Sequence, residues 1–553
     1  RGQAEGRGGR LRLEIAPAAG AHRAAIEKLA AARAIERIWA RDGAFWKAEE
    51  SHRKTIENAL GWLTIADRMA KDAPELQAFV SEAIAGTERV VVLGMGGSSL
   101  APLVFADSFP RRSGFPRLEV LDSTAPASVL EVARGETPER TLYVVSSKSG
   151  STLEPNIFFD AFYAQAEKTL GEKAGGRFVV ITDPGSALEA EAARRRVRRV
   201  FPGDPTIGGR YSALSNFGIV PAALAGVDVA ELLRRARGMA QACRRSDGDN
   251  PGLALGAAMG VLALSGRDKL TFDVGPPISR FGMWIEQLVA ESTGKEGKGV
   301  LPVEGEPLGP PEVYGNDRFF ASIAASSDLA RQDARLKPLE AAGHPSVRFE
   351  IADALDLGAE MFRWEFATAV AGKLLGINPF DQPNVQEAKD RTNEILAGKV
   401  PGEVPPAGVD AGQVRDLLAS LRPGDYFAIT AYVPSTQRNE AALQAIRLAV
   451  RDRWRVATTL GFGPRFLHST GQFHKGGPDT GVFLQVTAEP GEQVAIPGKP
   501  YDFGRVVAAQ AAGDLAALRS RGRRSLRVHL SGPLERGFRD LAAAVERAAG
   551  GRS

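Results

Sequence analysis

The sequence predicts an α/β fold in which parallel sheets are covered by helices on both faces. Short runs of β-branched and other apolar residues, bounded by Gly, Ser or Asp, alternate with segments of helical periodicity. Strands that are apolar throughout are typical of parallel sheets buried on both faces, and strand–helix–strand units build such sheets. We therefore expect doubly wound parallel sheets in three-layer αβα sandwiches.

The alternation divides the chain into four parts. Residues 1–70 combine a flexible basic lead-in over the first dozen residues with two or three helices. Residues 71–249 form a first α/β domain, with predicted strands at 89–93, 118–121, 142–145, 178–181 and 197–201. Residues 250–400 form a second, similar domain, with predicted strands at 269–274, 300–303, 319–324 and 347–351 and helices at 281–291, 359–375 and 385–396.

A proline-rich linker at 401–406 separates these domains from a smaller C-terminal α/β region, 401–553. Its predicted strands are 426–432, 455–460 and 482–486, with a helix at 440–451 and a last helix from about residue 534. We expect this region to be an appendage to the two larger domains.

Composition excludes several classes of protein. Of 553 residues, 44% are hydrophobic and 25% charged, as in ordinary globular proteins. A net charge of +4 gives no support for nucleic-acid binding, and no segment is apolar enough to span a membrane. The single cysteine, Cys243, cannot form an internal disulfide and favours a cytoplasmic location. Six scattered histidines give no metal-binding pattern.

A hydroxyl-rich loop at 146–152 is the clearest ligand-binding signal. It follows a predicted strand, and open α/β sheets bind ligands at the carboxyl ends of their strands. Its hydroxyls, its lysine and the amides of the next helix could hold a phosphate, although the hydroxyls could instead only cap that helix. The candidate phosphate ligands are Ser147, Lys148, Ser149 and Thr152. Because no Walker motif is present, we expect a small phosphorylated metabolite rather than a nucleoside triphosphate.

Two glycine-containing turns are further candidates. Gly97 and Ser98 lie in a Gly-Met-Gly-Gly-Ser segment between a strand and a helix, where glycines let the backbone approach a ligand. A tight turn explains that segment equally well, and it lacks the third glycine of a dinucleotide-binding motif. Arg210 follows two glycines, and its guanidinium could reach an anion or a developing oxyanion. A surface arginine beside a turn is the alternative.

Candidates for proton transfer lie on two helices. Gln287 and Glu291 are four residues apart, so they share one helical face. Glu291 is a candidate general base, with a solvated helix-end glutamate as the alternative. The polar turn at 378–384, which contains Gln382, begins a helix that carries Lys389.

Together these five segments, in this order, resemble the glucose-6-phosphate isomerase family. The resemblance runs from about residue 46 to 398, and its most specific part combines Gly-Gly-Arg-Tyr-Ser at 208–212 with the Glu291 helix and the segment 378–389. It implies two sugar-isomerase (SIS-type) domains of flavodoxin-like topology, usually a homodimer, and no cofactor. The implied reaction interconverts glucose 6-phosphate and fructose 6-phosphate through a cis-enediol.

The resemblance also implies a role for each matched residue. The phosphate would be bound by the four residues of the hydroxyl-rich loop, and Gly97 and Ser98 would line the sugar. Arg210 would stabilise the enediolate, and Glu291 would move the proton between C1 and C2. Gln287 and Gln382 would hold substrate oxygens, and Lys389 would assist ring opening or bind the ring oxygen.

Two positions depart from the family pattern. Pro155 replaces a further phosphate-binding threonine of the longer relatives. The family's ring-opening histidine lies between the base and the lysine, and the one histidine in that interval, His344, does not match the motif. We keep His344 and His474 as candidates. His468 and His474 flank a polar loop that could enter the active site, although a structural loop is the more ordinary explanation.

Residues 401–553 and the alanine-rich N-terminal lead resemble the isomerase half of bacterial fusions of transaldolase to glucose-6-phosphate isomerase. An N-terminal transaldolase is therefore an expected covalent partner, outside these residues. Two alternative functions stay open: an isomerase that also accepts mannose 6-phosphate, and a sugar-phosphate-binding regulator without catalysis. Glu291 and Arg210 disfavour the regulator, because phosphate binding needs neither.

Overall fold

The computed structural model describes residues 11–135, 137–400, 406–489 and 491–550. Residues 401–405 of the predicted linker thus lie outside the described part. The strands are β1 Leu11–Glu14, β2 Arg89–Leu93, β3 Arg117–Leu121, β4 Thr141–Ser146, β5 Phe178–Thr182, β6 Arg199–Pro202, β7 Lys269–Val274, β8 Leu301–Val303, β9 Arg318–Ala325, β10 Ser346–Ile351, β11 Tyr426–Tyr432, β12 Ala457–Phe462, β13 Gly481–Ala488 and β14 Arg524–Leu530.

The helices of the described residues cover the faces of the sheets. They are α1 Ala19–Ala31, α2 Ala34–Trp39, α3 Glu50–Glu57, α4 Ile65–Ala83, α5 Leu100–Ser108, α6 Pro126–Arg134, α7 Leu153–Leu170, α8 Ala187–Arg194, α9 Asn216–Leu224, α10 Val229–Ala242, α11 Pro251–Leu264, α12 Phe281–Thr293, α13 Leu329–Ala341, α14 Leu357–Leu375, α15 Gln386–Leu396, α16 Ala411–Ala419, α17 Gln437–Trp454, α18 Gly471–Gly476, α19 Phe503–Ser520 and α20 Leu534–Gly550. Of these described helices, none has the length and apolar character needed to cross a membrane.

The first sheet contains β2 to β6, all parallel, in the order β3-β2-β4-β5-β6. Counted from its own first strand, this is the order 2-1-3-4-5 of flavodoxin-like folds. The central strand β2, Arg-Val-Val-Val-Leu, is buried throughout because helices cover both faces. The predicted α/β class is confirmed. The order reverses between β2 and β4, so a crevice forms at their carboxyl ends.

The second sheet has the order β1-β10-β9-β7-β8. Its strands β7 to β10 are parallel, in the order 2-1-3-4, and β1 adds an antiparallel edge strand in which Leu11 pairs with Phe349. The expectation of a flexible lead-in is therefore wrong for Leu11 and Arg12. Leu11 is buried, and its strand completes the edge of a sheet whose other strands lie far along the chain.

The C-terminal region contains a third parallel sheet, in the order β12-β11-β13-β14. Counted from β11 this is again 2-1-3-4, so the region is a doubly wound unit of its own and more than an appendage. Strand β14 and helix α19 were not predicted. Strand β14 is only partly buried and reads Arg-Ser-Leu-Arg-Val-His-Leu, so its charged residues conceal the apolar signal of a strand.

This third unit packs against both others. Phe503 of α19 stacks on Phe158 of α7, with ring centroids 5.9 Å apart, within the apolar core beside the first sheet. Tyr426 and Phe473 share a second apolar cluster with Ala290 of α12. Helix α12 is therefore held between the second and third units.

We expect Phe503→Ala to loosen the third unit from the first. Removing a fully buried aromatic ring costs about 3 to 5 kcal/mol, and here the loss falls on an interface between units. Thermal unfolding and limited proteolysis of the purified chain would measure the effect. The control is Leu264→Ala, because Leu264 is 62% exposed and should change stability by less than about 0.5 kcal/mol. Equal effects of the two substitutions would contradict the proposed packing role.

Candidate functional site

Arg210 lies at the centre of the candidate site and is only 2% exposed. It occupies a short 3₁₀ turn, Gly209–Tyr211, that faces helix α12. Its Nη1 lies 3.3 Å from Oε1 of Glu291, and its Nε donates to Oγ of Ser292 at 2.7 Å. A fixed cation thus lies beside a carboxylate, an arrangement suited to removing a proton next to a forming oxyanion.

The loop at 378–384 encloses the other side of Arg210. Arg210 Nη1 donates to Oε1 of Gln382 at 2.9 Å. Its Nη2 donates to the carbonyl oxygens of Pro379 at 2.9 Å and Asp381 at 3.0 Å. The structure therefore brings the predicted residues Arg210, Glu291 and Gln382 together, although they come from three separate segments.

The glycine-containing turn after β2 closes against the Arg210 turn. A Cβ atom on Gly97 would lie 2.1 Å from the carbonyl oxygen of Gly209, so only glycine allows this approach. Ser98 is buried beside it, and Ser212 Oγ donates to the same Gly209 carbonyl at 2.6 Å. Gly97 and Ser98 thus form a wall of the site.

The hydroxyl-rich loop lies between β4 and α7, at the predicted crevice. Thr152 is the N-cap residue of α7, but its side chain makes no capping hydrogen bond, so capping does not explain this hydroxyl. The hydroxyl of Ser147 is buried and has no hydrogen-bond partner among the residues that the structure describes. Lys148 pairs with Asp183, and the Ser149 hydroxyl lies 3.0 Å from that of Ser151. Unused hydroxyls at a helix start are suited to binding an anion.

A cavity of about 700 Å³ opens beside this loop. Its walls come from the loop, the first turns of α15 and the third unit. They include Ser149, Gly150, Thr152, Lys389 and His468. This volume lies within the range of small-molecule sites. Lys389 therefore faces the same space as two of the predicted phosphate ligands.

His468 enters this cavity from the third unit. Its Nε2 lies 3.1 Å from Oε1 of Glu154, and Gln510 Nε2 donates to the same oxygen at 2.7 Å. Burial alone would raise the pKa of Glu154, but the charge and the hydrogen bond of His468 outweigh burial and lower it. Glu154 is therefore an ionised acceptor placed to receive a hydrogen bond from Nε2–H of His468.

Gln287 links this histidine to Glu291. Its Nε2 donates to the carbonyl oxygen of His468 at 2.7 Å and to Oε2 of Glu291 at 3.1 Å. The predicted glutamine is thus present at the site, where it joins α12 to the third unit. Sequence reasoning did not assign Glu154 or Gln510. For His468, the polar loop it shares with His474 was the one available signal.

The structure places the two predicted ring-opening histidines elsewhere. His344 is buried against the rings of Tyr314 and Phe320, and burial lowers its pKa. His474 is buried beside Tyr426, whose hydroxyl lies 2.9 Å from Nδ1, and burial followed by the charge of Lys475 lowers its pKa well below the usual value. Neither lines the cavity, because each packs in an apolar core.

An ion pair holds the segment that carries His468. Arg465, three residues earlier in the same turn, donates from Nε and Nη2 to the two oxygens of Asp122, both at 2.7 Å. Asp122 follows β3 and is 3% exposed. Two parallel hydrogen bonds fix the orientation of the guanidinium relative to the carboxylate as well as the distance between them. The first unit thereby fixes the turn that presents His468.

Comparison with known proteins is consistent with this geometry. A family model described as phosphoglucose isomerase matches residues 66–301. A glucose-6-phosphate isomerase of Rubrobacter xylanophilus is 31% identical over 385 residues, covering 61% of this chain and 86% of the relative. The chain belongs to the phosphoglucose isomerase family. Another family member, from Citrifermentans bemidjiense, is 28% identical and is covered over 73% of its length.

Solved structures agree on the fold. A hypothetical protein from Thermus thermophilus superimposes with a TM-score of 0.59 at 26% identity, covering 70% of this chain and all of that one. A glucose-6-phosphate isomerase from Chlamydia trachomatis gives the same TM-score at 20% identity, covering 72% of this chain and 90% of that one. The family match at 66–301 contains Arg210 and Glu291, whereas Gln382, Lys389 and His468 lie beyond it.

We expect Arg465→Met to release the turn at 465–468. The substitution leaves Asp122 buried without its cationic partner, which is costly, so the turn should separate from the first unit. Hydrogen exchange of the backbone amides at 466–476 should rise about tenfold or more. Arg438→Met is the control, because the Arg438–Glu535 pair of the same unit is exposed and contributes little. Unchanged exchange in Arg465→Met would show that the ion pair does not hold this turn.

Proposed function

We propose that this chain interconverts glucose 6-phosphate and fructose 6-phosphate through a cis-enediol intermediate. The observation that carries the proposal is the placement of Glu291 3.3 Å from the buried Arg210, with Gln287 linking Glu291 to His468 in the wall of the cavity that the hydroxyl-rich loop also lines. Its curated relatives include glucose-6-phosphate isomerases. A regulator that only binds a sugar phosphate needs no carboxylate held against a cation at this place.

In the proposed mechanism, the loop at 146–152 anchors the phosphate. Ser149 and Thr152 line the cavity, and no described residue hydrogen-bonds to the Ser147 hydroxyl, so phosphate binding would break no such bond there. Lys148, paired with Asp183, contributes positive charge from the side of the loop. This anchor places the sugar between Lys389, His468 and the Arg210–Glu291 pair.

Ring opening comes first, because the pyranose has no carbonyl group. His468 donates Nε2–H to Glu154, so its Nδ1 can exchange a proton with the ring oxygen or with the C1 hydroxyl. Lys389, which lines the same cavity, assists this step. The products of this step are the open-chain aldehyde and its C5 hydroxyl.

Glu291 then removes the proton from C2 and returns it to C1. The electrons left on carbon form an enediolate, whose negative oxygen is stabilised by Arg210. Gln287 and Gln382, which already bind Glu291 and Arg210, hold the substrate oxygens on either side. The carbon-bound proton passes through this one carboxylate while the hydroxyl proton of O2 passes to O1, so the isomerisation balances without a redox cofactor.

The proposal includes the cellular location and the partners of the enzyme. The single cysteine is buried, and no disulfide ties the chain to an oxidising compartment, which supports a cytoplasmic location. The homodimer and the N-terminal transaldolase partner come from the family resemblance and stay predictions.

Glu291→Gln should abolish most of the turnover. Loss of a general base lowers kcat by about 10²-fold or more, while the phosphate loop still binds fructose 6-phosphate. A coupled assay for glucose 6-phosphate, run without added metal, measures turnover, and calorimetry measures binding. Glu296→Gln is the matched control, because this half-exposed glutamate pairs with Lys47 at the surface. Absence of turnover in the wild-type chain would refute the proposed function.

His468→Asn should impair ring opening specifically. Anomerisation of α-glucose 6-phosphate requires ring opening but no proton transfer at carbon. We therefore expect His468→Asn to slow anomerisation and isomerisation together by about 10²-fold, and Glu291→Gln to slow only isomerisation. His344→Asn is the control and should leave both rates unchanged.

Mixing the two inactive variants provides a further check. Because Glu291 and His468 belong to one site within one chain, a mixture of Glu291→Gln and His468→Asn should not recover activity. Recovered activity would mean that a second copy supplies one of these residues.

A further inference from the structure

Lys295 is a buried lysine beside the site that the steps above do not use. It lies two residues beyond the end of α12 and is 2% exposed. Its Nζ donates to the carbonyl oxygen of Asp381 and, at 2.8 Å, to Oδ1 of the same residue. A lysine buried this deeply is rare unless a carboxylate neutralises it, and Asp381 supplies that charge.

Asp381 connects Lys295 to Arg210. Its carbonyl oxygen accepts hydrogen bonds from both Lys295 Nζ and Arg210 Nη2. Its other carboxylate oxygen accepts from Asn378 Nδ2 at 3.0 Å and lies 3.6 Å from His52 Nδ1. Two cations therefore meet at one residue, and the next residue in the chain is Gln382, which binds Arg210.

The charges around Lys295 show what its loss would do. Without the ammonium, the carboxylate of Asp381 would lose its lysine partner, while the carbonyl oxygen of the same residue is bound to Nη2 of Arg210. That carboxylate would then compete with Glu291 for Arg210, because both are anions beside one buried cation. Movement of Asp381 would also carry Gln382 away from Arg210.

We propose that Lys295 is a positioning residue that neutralises Asp381 and thereby keeps Arg210 directed at Glu291 and the substrate. This inference rests on the proposed function. The charged groups facing Lys295 are Asp381 from the 378–384 loop, Arg210 from its turn and Glu291 from α12, with His52 of α3 beyond Asp381. The role predicts an effect on kcat rather than on substrate binding, since the Lys295 ammonium is bound to Asp381 and not to the hydroxyl-rich loop that holds the phosphate.

Lys295 should also make kcat depend on pH in the alkaline range. Burial, followed by repulsion from Arg210, lowers the pKa of Lys295 to about 8, although Asp381 and Glu291 favour its charged form. Raising the pH through 8 therefore removes the charge that holds Asp381. We expect the kcat of the wild-type chain to fall above this pH.

Three variants test the role. Lys295→Met should lower kcat about 10- to 100-fold with KM for fructose 6-phosphate within about threefold, as expected from a small displacement of reacting groups. Lys295→Arg should retain most of the activity and move the alkaline decline of kcat upward, because arginine does not lose its proton in this range. Lys298→Met is the matched control, since Lys298 lies in the same loop but its ammonium donates to the carbonyl oxygen of Leu375 instead of to the 378–384 loop.

A double substitution separates positioning from packing. Asp381→Asn added to Lys295→Met removes the uncompensated carboxylate, so it should recover part of the lost kcat. Wild-type kcat in Lys295→Met, or no recovery in the double variant, would overturn the inference. If Lys295→Met does not fold, the inference is equally overturned when the kcat of Lys295→Arg declines at the same alkaline pH as that of the wild type. An inactive wild-type chain would instead refute the proposed function itself.

Discussion

The candidate site depends on the burial of one guanidinium. Arg210 is removed from water, so each of its donors must find an acceptor within the protein. Those acceptors come from α12 and from the 378–384 loop. Two segments that are distant in the chain are thereby fixed relative to one another. The cation is consequently in place before any substrate arrives, as electrostatic stabilisation of an intermediate requires.

The same principle explains how the third unit joins the site. Glu154 is buried in the first unit, and its acceptors are satisfied by His468 and Gln510, both from the third unit. Asp122 is satisfied in the same way by Arg465. Carboxylates that would be costly to bury alone therefore attach a separate doubly wound unit to the carboxyl edge of the first sheet. Glu154, His468 and Gln510 therefore line the cavity and also join the first unit to the third.

Local patterns in the sequence predicted most of the fold. Strands such as β2 and β5 are short, mainly apolar runs with clear ends, so periodicity finds them without knowledge of their neighbours. Strand β1 was missed because its short Leu-Arg-Leu-Glu sequence, half of it charged, gives no apolar run, and its pairing with β10 is visible only in the fold. Strand β14 was missed because half-buried arginines interrupt its apolar pattern.

The site was predictable where one segment carries the chemistry. The loop at 146–152 and the pair Gln287–Glu291 are contiguous or one helical turn apart, so their residue types indicate a role. His468 has no such local signal, because its partner Glu154 lies in another unit and only tertiary structure brings them together. His344 was predicted instead because it lies between Glu291 and Lys389 in the sequence. It is not at the site, because order along the chain does not determine proximity in space.

The pairing of β1 with β10 bears on how the chain is made. Strand β1 is synthesised before the whole first unit, yet its partner Ser346–Ile351 emerges only when the second sheet is nearly complete. Because units tend to fold as they leave the ribosome, β1 must stay unpaired while the first unit forms. Contacts between residues so far apart in sequence also form slowly. The second sheet is therefore completed by a strand that stays unpaired while the whole first unit is synthesised.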